Sequence, residues 1–435
     1  MNSSIKQIAL YGAGREAKKA FDSLNNSEYF PVCFTDIDSD KQGKTLCGIP
    51  ILSLNQALNR FPNCLFYITV ANDDLKKDIV INSLLQNGID LERIVNFEYE
   101  YKTSCRMIEA ACFYVEGGLT LCCRPNKNNI HSTVNDFFIS GNQSDSQTIG
   151  QYLLLRKERI NVIKNGIPNP CDGCDMLSEG WFKRNQKITT LSIGSFNPCN
   201  LKCVYCGYNN VAFSEWQKTF PHRQSQNANL EEFVKQTSNF DDFEKKIAIN
   251  YASGEITINP TKNDVYRSYH LIQKGQILTN AVIYDKEIEK LLKFPEISLN
   301  ISIDSGTRDT YKRIKGRDYF DIVYDNIKKY NETGNVSIKY IFHELNTNEE
   351  DVLAFANICD EIKPSKVIIS RDLNSKSIMS DMELGLISTL VSHLRLNNIK
   401  VFISYDYFPK SQVDTLMDTT KNIPAKIKIA DMVES

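Results

Sequence analysis

Short apolar runs typical of buried strands alternate with segments of helical periodicity through the first hundred residues of the chain. Strands are predicted at residues 5–11, 30–35 and 65–70, and helices at 15–24, 57–60 and 75–87. A strand–helix–strand alternation is typical of βαβ units with a parallel sheet. The pattern therefore predicts a small Rossmann-like domain at the start of the chain.

The same alternation returns after residue 187 and continues for about two hundred residues. Strands are predicted at 188–193, 246–251, 275–278, 297–303, 336–342, 366–369 and 400–403, and helices at 231–240, 286–292, 319–331 and 349–360. Parallel strands joined by helices on one side predict an α/β barrel or an open barrel.

Two stretches lack this periodicity. Residues 97–187 hold an Asn- and Ser-rich tract and are predicted to be loop-dominated, and the chain after Asp406 is predicted to be irregular. We therefore predict an α/β protein with a Rossmann-like domain (1–100), a loop-rich module (101–186), a barrel (187–410) and a tail (411–435). A chain of 435 residues fits roughly three domains.

Composition narrows the class of protein. Apolar residues make up 42% and charged residues 24% of the chain, which is the ordinary balance of a folded protein. The net charge of −2 gives no basic field for nucleic acid, which excludes nucleic acid as a general partner. No apolar run is long enough for a membrane span, and the first residues lack a secretion signal, so a cytoplasmic location without a membrane partner is expected.

The first predicted strand leads directly into the sequence Gly12-Ala13-Gly14. Glycines there allow a tight turn, and the following helix would present its N-terminus to a phosphate. Asp36 follows roughly 20 residues later, where a carboxylate would bind a ribose. Gly12, Gly14 and Asp36 thus predict nucleotide binding, and the alternative is a spacer of the same fold that binds nothing.

The 13 cysteines are unusually numerous, and without a secretion signal thiolate ligands are expected rather than disulfides. Four of them are isolated and are interpreted as small buried apolar residues: Cys33, Cys47, Cys64 and Cys359. The other nine lie within one quarter of the chain: Cys105, Cys112, Cys122, Cys123, Cys171, Cys174, Cys199, Cys203 and Cys206.

Cys199, Cys203 and Cys206 follow the first barrel strand, at the end of the strand where α/β barrels carry out chemistry. Three thiolates on a four-iron cluster leave one iron open to a substrate or cofactor. The alternative is a zinc site built from the Cys-x-x-Cys pairs at 171–174 and 203–206. Zinc would leave Cys199 without a role.

The CxxxCxxC spacing, with Tyr205 before the last cysteine, resembles the radical S-adenosylmethionine (SAM) superfamily. Ser253-Gly254-Glu255 is similar to the GGE motif of that superfamily with one glycine replaced, and residues 299–307 are similar to its SIDxGT segment. The resemblance implies SAM contacts from these residues: Tyr205, Ser253, Gly254, Glu255, Ser302, Asp304 and Ile369.

The resemblance also implies a fold and an activity for residues 187–410. The fold is a partial (β/α)6 barrel that holds a [4Fe–4S] cluster with one open iron, to which SAM binds. The activity is reductive cleavage of SAM to a 5′-deoxyadenosyl radical that abstracts hydrogen from a substrate, with a flavodoxin or ferredoxin as electron donor. No catalytic acid or base is expected among the side chains.

A second cysteine group precedes the barrel. Gly117 and Cys122 resemble the opening of the auxiliary-cluster modules called SPASM and twitch, and the resemblance implies an auxiliary [4Fe–4S] cluster held by Cys112, Cys122, Cys171 and Cys174. In those families the module follows the barrel rather than preceding it. Two alternatives are zinc in the same four positions and thiols that bind no metal. Cys123 could replace Cys122, and Cys105 has no assigned role.

Residues 5–98 resemble the domain that begins bacterial nucleotide-sugar acetyltransferases. This resemblance implies a radical enzyme that acts on a sugar nucleotide or glycan precursor in surface-polysaccharide biosynthesis. Two alternatives remain open: a radical SAM maturase of a ribosomal peptide or protein, and a non-catalytic nucleotide-sugar-binding protein with structural iron or zinc.

Overall fold

The computed structural model describes most of the chain. The described residues are 6–24, 28–69, 74–95, 97–115, 118–122, 136–142, 144–174, 176–194, 198–206, 230–252, 254–372, 375, 378–404 and 408–421. The chain divides into two compact units, the first formed by residues 1–109, 128–130 and 159–186, and the second by residues 110–127, 131–158 and 187–435.

The elements are numbered along the chain. The strands are β1 Lys6–Tyr11, β2 Tyr29–Thr35, β3 Thr45–Leu46, β4 Ile49–Leu52, β5 Leu65–Ile68, β6 Tyr99–Cys105, β7 Ala111–Val115, β8 Gly118–Thr120, β9 Phe138–Ser140, β10 Leu177–Lys183, β11 Ile188–Ile193, β12 Phe243–Tyr251, β13 Lys274–Thr279, β14 Glu296–Ser302, β15 Val336–Phe342, β16 Lys366–Arg371 and β17 Val401–Ile403. The α-helices are α1 Arg15–Leu24, α2 Leu54–Arg60, α3 Asp74–Gln86, α4 Arg106–Ala110, α5 Ser146–Lys164, α6 Leu230–Thr237, α7 Lys262–Ile272, α8 Lys286–Leu291, α9 Arg308–Lys315, α10 Phe320–Asn331, α11 Glu349–Ile362, α12 Asp381–Leu396 and α13 Lys410–Lys421.

The first unit is built on a five-stranded sheet with the order β3-β4-β2-β1-β5. β1 is parallel to both β2 and β5, as the βαβ alternation predicts. Apolar residues cover both faces of this sheet and form two core clusters. A separate antiparallel pair joins β6 to β10, with Cys105 opposite Leu177.

The second unit contains a ten-stranded sheet with the order β17-β16-β15-β14-β13-β12-β11-β7-β8-β9. Every pair from β17 to β7 is parallel, whereas β8 and β9 are antiparallel additions. The described strands do not close into a barrel, which confirms the prediction of a partial barrel.

Neighbouring residues of these strands point to opposite faces of the sheet. Tyr340 marks the helix-covered face, because its hydroxyl donates to Asp351 of α11 over 2.8 Å. Its neighbours on β15, Lys339 and Ile341, therefore face the inside of the partial barrel.

Two parts of the chain are more regular than predicted. Residues 97–187 supply β6 to β10 and the helix α5, because strands of three to seven residues leave little periodic signal. The prediction of an irregular tail after Asp406 is wrong, since α13 covers Lys410–Lys421.

Tertiary contacts explain α13, whose sequence is rich in Ser, Thr and Asp and has weak helix propensity. The Gln412 side chain makes two hydrogen bonds to the backbone of Met379, at 2.7 and 2.8 Å, and Leu416 is fully buried. Among the described helices, none is long and apolar enough to cross a membrane.

Candidate cofactor-binding site

A cavity of about 480 Å³ lies at the carboxyl ends of the strands of the second unit. Its lining combines sulfur, carboxylate, amide, hydroxyl and ammonium groups from several strand ends. The lining residues are Pro198, Cys199, Leu201, Cys203, Tyr205, Cys206, Ala252, Gly254, Glu255, Leu278, Thr279, Asn280, Ser302 and Lys315.

All three cysteines of the predicted triplet line this cavity. Their loop is held by backbone hydrogen bonds to the end of α9, from Lys202 to Lys315 at 3.0 Å and from Val204 to Ile314 at 2.9 Å. The Cys199 sulfur is exposed and accepts hydrogen bonds from the Leu201 amide and from Asn280 Nδ2, each at 3.4 Å. The fold thus brings the three thiols to one solvent-accessible wall.

The donor chemistry of this wall fits an iron–sulfur cluster. Thiolates are the protein ligands that such clusters use, and each cysteine of a four-iron cluster binds a different iron. The described part of the chain holds no group of three or more His, Cys, Asp or Glu side chains that could hold a metal ion as placed. Burial raises the pKa of the Cys203 thiol, and the nearby Lys315 ammonium counteracts this shift.

Glu255 is held rigidly at the cavity. Its carboxylate accepts hydrogen bonds from the hydroxyls of Thr257 and Thr279, at 2.8 and 2.7 Å, and from the Asn280 amide at 2.7 Å. Burial nevertheless raises the pKa of Glu255 above its usual value. Gly254 also lines the cavity with a left-handed backbone (φ +56°), and Ser253 lies outside the described residues.

Asp304 is the centre of a buried polar network. Its Oδ2 accepts hydrogen bonds from Lys315 Nζ at 2.5 Å and from the Tyr205 hydroxyl, and its Oδ1 accepts from the Ile341 amide at 2.8 Å. Lys315 also donates to the Tyr205 hydroxyl over 2.7 Å. The resemblance implies a SAM contact at Asp304, and in the structure protein donors engage both of its oxygens.

The backbone is strained at two of these strand ends. Asp304, after β14, and Ala281, after β13, both have left-handed conformations with φ near +55° and +56°. Residues with a Cβ adopt this region at a cost, and such positions cluster at functional sites.

Sequence reasoning missed Lys315. It lies in the last turn of α9, a helix with polar residues on most of its surface, where a lysine is ordinarily solvated. Here its side chain is only 1% exposed. The one available signal was its position in the Ile314-Lys315-Gly316 segment, where Gly316 takes a left-handed backbone and ends the helix.

Two further predicted contacts lie on the strands. Ser302 lines the cavity. Ile369 is fully buried and pairs in register with Tyr340, so it shares the helix-covered face. Its neighbour Ile368 pairs with Lys339, so Ile368 faces the inside of the partial barrel.

A second group of thiols lies in the first unit. Cys171 and Cys174 flank a turn closed by a 3.0 Å backbone hydrogen bond, in which Gly173 has φ +75°. Cys105 at the end of β6 lies opposite Leu177, whose amide donates to the Cys174 carbonyl over 3.1 Å. Burial raises the pKa of the Cys171 thiol to about 12. The β6–β10 register brings Cys105 here, and the sequence alone gave it no role.

Cys112 and Cys122 belong to the second unit. Cys112 is fully buried in β7, and burial raises the pKa of its thiol to about 12. Cys122 is half-buried, and its amide donates to Thr120 Oγ1 over 3.3 Å. Gly117 and Cys123 lie outside the described residues.

The glycine loop of the first unit has the shape expected of a tight turn. Gly12 takes φ +111°, and a side chain at Gly14 would meet open space. Asp36 accepts hydrogen bonds from the Ala13 amide at 2.7 Å and from Lys41 Nζ at 3.0 Å. Asp36 therefore fixes the loop and holds a half-exposed lysine beside it.

Comparisons with known proteins agree with this geometry in the second unit. Residues 194–357 match the model of the Radical SAM superfamily. No curated protein matches the chain.

Two solved structures share a low similarity with the chain. The chain resembles Streptococcus suis SuiB bound to S-adenosylmethionine with a TM-score of 0.40 and 16% identity, covering 60% of this chain and 56% of SuiB. It resembles anSMEcpe with bound AdoMet with a TM-score of 0.39 and 16% identity, covering 50% of this chain and 63% of anSMEcpe. The chain thus spans somewhat more than half the length of SuiB.

Proposed function

We propose that this radical SAM enzyme reductively cleaves SAM and abstracts a hydrogen atom from a sugar nucleotide or glycan precursor. The proposal of SAM cleavage rests on the cavity, which brings Cys199, Cys203 and Cys206 together with Glu255. Three thiols on an open wall suit a cluster with an iron left for SAM, whereas a structural metal site needs four protein ligands.

Each of these side chains has a separate task. Cys199, Cys203 and Cys206 hold the cluster, and Glu255, fixed by Thr279 and Asn280, accepts the amino group of SAM. The Asp304–Lys315–Tyr205 network fixes the wall of the cavity and excludes water there. When bound, SAM and the cluster supply a 5′-deoxyadenosyl radical that removes hydrogen from an unactivated carbon. An electron donor of the flavodoxin or ferredoxin type would reduce the cluster.

An auxiliary metal centre is proposed in the first unit. Cys171 and Cys174 remain its ligands, and the closeness of the Cys105 thiol adds this residue to the set. Neighbouring thiols favour metal binding, because a bound metal ion stabilises the thiolates and releases their protons. An auxiliary iron–sulfur cluster is proposed over zinc, and metal analysis distinguishes the two.

The substrate proposal depends on the first unit. The turn at Gly12, the open space at Gly14 and the nearby Lys41 ammonium suit the diphosphate of a nucleotide-linked sugar. These features support a domain that delivers a sugar nucleotide in carbohydrate biosynthesis.

The test is anaerobic reconstitution with iron and sulfide, followed by reduction and incubation with SAM and a panel of sugar nucleotides deuterated in the sugar. Formation of 5′-deoxyadenosine that carries deuterium is the expected result. Absence of 5′-deoxyadenosine from the reduced, cluster-loaded protein would exclude radical SAM activity. Deuterium transfer from a labelled peptide instead would replace the sugar proposal with a peptide maturase.

A further inference from the structure

The loop that carries the three cysteines has an inner and an outer side. Cys203 and Tyr205 line the cavity, whereas Lys202 and Val204 are exposed, with Val204 at 51%. Backbone hydrogen bonds from Lys202 and Val204 to α9 hold this alternation in place. A cluster bound to Cys203 would therefore be separated from solvent on the outer side by little more than the backbone of the loop.

Positively charged side chains lie around the outer side of the loop. Lys312 and Arg313 are exposed on α9, and Arg317 is exposed just after it. Gly316, which ends α9, lies against the loop, since a Cβ built there would be 2.9 Å from the Lys202 carbonyl oxygen. We call these residues the outer basic face: Lys202, Val204, Lys312, Arg313 and Arg317.

The four cations of this face form no ion pair with any residue that the structure describes. Arg313 donates to two uncharged groups, the Thr310 hydroxyl at 3.1 Å and the Leu345 carbonyl at 3.4 Å. Cations that no carboxylate of their own chain neutralises attract the carboxylates of another molecule.

Fewer acids are exposed beside these cations. Asp309 and Glu350 line the surface depression beside α9, and Asp318 is already paired with Arg308. The whole chain has a net charge of −2, so the excess of positive charge is a local property of the face. Exposed charges act over a Debye length of about 8 Å at physiological salt, so the face steers an acidic partner toward the cysteine loop.

An acidic electron carrier fits the position and the charge of this face. Electron transfer needs a short distance between the donor and the cluster, and the inner side of the loop faces the cavity proposed for SAM. The outer side is therefore the open approach to Cys203. The apolar side chain of Val204 suits a flavin, because flavodoxins expose the apolar edge of their flavin ring. Small contact areas are typical of transient electron-transfer complexes.

We propose that the outer basic face docks a flavodoxin, an acidic protein that carries FMN. Val204 contacts the edge of the flavin ring, and the four cations pair with carboxylates around it. The flavin is oxidised by one electron and the cluster is reduced by one electron, so no bond breaks and no proton moves. This inference rests on the proposed function, because reductive cleavage of SAM requires an electron at this loop.

The experiment makes two measurements with a purified bacterial flavodoxin at low ionic strength. Titration calorimetry measures its binding to the anaerobically purified full chain. Stopped-flow absorbance measures the rate at which fully reduced flavodoxin bleaches the reconstituted cluster, in the absence of SAM. Photoreduced 5-deazariboflavin, a small uncharged reductant that needs no docking surface, gives the reference rate.

The test variant is the double change Lys312→Glu with Arg317→Glu, at two exposed positions of the outer basic face. The control is Lys245→Glu with Lys293→Glu, which changes the net charge by the same amount. Lys245 lies early in β12 and Lys293 just before β14, so both exposed lysines are near the amino ends of the strands, away from the cavity. Lys312→Arg with Arg317→Lys retains both charges.

The wild-type protein is expected to bind flavodoxin, with an affinity that falls as salt is added. The double Glu variant should weaken this binding at least about tenfold, and it should lower the ratio of the flavodoxin rate to the 5-deazariboflavin rate by a similar factor. The control should stay within about twofold of wild type, and the charge-retaining variant within about threefold.

Absence of flavodoxin binding by the wild type overturns the inference, as does a wild-type rate ratio in the double Glu variant. An equal loss in the control also overturns it, because the effect would then come from net charge alone. Binding of an acidic ferredoxin in place of flavodoxin overturns the choice of partner. Thermal unfolding identifies a double Glu variant that fails to fold, and Lys312→Met with Arg317→Met then takes its place.

Formation of 5′-deoxyadenosine from SAM with 5-deazariboflavin as reductant is measured in parallel. Its absence, with flavodoxin binding that depends on Lys312 and Arg317, contradicts the proposed function and leaves the docking face standing. Its presence without flavodoxin binding contradicts the docking face alone.

Discussion

Lys315 and Asp304 form an ion pair in the interior of the second unit, with their side chains 1% and 0% exposed and 2.5 Å between Nζ and Oδ2. Burial alone would lower the pKa of Lys315, but the Asp304 carboxylate outweighs it and the pKa lies above its ordinary value. Lys315 therefore stays charged, and its buried ammonium depends on Asp304.

Replacing Lys315 by Met should destabilise the second unit. Asp304 would remain buried without its cation, which typically costs about 3 to 5 kcal/mol in the free energy of unfolding. Urea unfolding measures the change. Lys312→Met, at an exposed position of the same helix, is the matched control and should cost under about 1 kcal/mol. Equal stability of the two variants would show that Asp304 does not need Lys315.

Replacing Cys199, Cys203 and Cys206 together by Ala should remove about four irons per chain and abolish 5′-deoxyadenosine formation, since three thiolates hold one cluster. Iron analysis and chromatography of the reduced, SAM-treated protein give the two readouts. The control is Cys359→Ala, at a fully buried position in α11 that lines no described cavity. SAM cleavage by the triple variant would contradict the assignment.

Cys105→Ala should remove metal from the first unit to the same extent as the double change Cys171→Ala with Cys174→Ala. The reason is that strand pairing places Cys105 opposite Leu177, directly beside the turn that holds Cys171 and Cys174. Metal content after anaerobic purification is the measurement. Cys112→Ala should lower stability through lost packing at a fully buried position and leave the metal content unchanged. Loss of the same metal in Cys112→Ala would favour the ligand set expected from the sequence.

Gly14→Val should weaken the binding of a nucleotide-diphosphate sugar while the chain still folds. A Cβ at this position meets no atom within 4 Å, so the side chain is tolerated, yet it blocks the approach of a diphosphate to the backbone. Calorimetric titration with uridine-, guanosine-, cytidine- and thymidine-diphosphate sugars measures the effect. If no sugar nucleotide binds the wild type, the domain is a spacer.

Much of the fold follows from the sequence because its strands are buried and continuous. The prediction of a helix at 15–24 and of strands at 188–193 and 336–342 matches the structure residue for residue. The sequence predicts that Cys199, Cys203 and Cys206 share one site, because their spacing and their position after a strand are local properties.

The contacts that complete the site are not local. The Lys315–Asp304 pair depends on a left-handed backbone at Asp304 and on the packing of α9 beside the cysteine loop. The closeness of Cys105 to Cys171 depends on the pairing of two strands more than seventy positions apart. Propensity and periodicity carry no information about either arrangement.

The left-handed backbones at Ala281 and Asp304 lower the stability of the protein, but only Asp304 has a side chain that the site needs. Glycine would relieve about 1 kcal/mol of steric cost at either position. At Ala281 this change removes only a methyl group, so selection for thermal resistance would favour it. At Asp304 the same change also removes the carboxylate that holds Lys315 and Tyr205. A thermally improved descendant of this protein is therefore expected to acquire Gly at the first position and to retain the strained acid at the second.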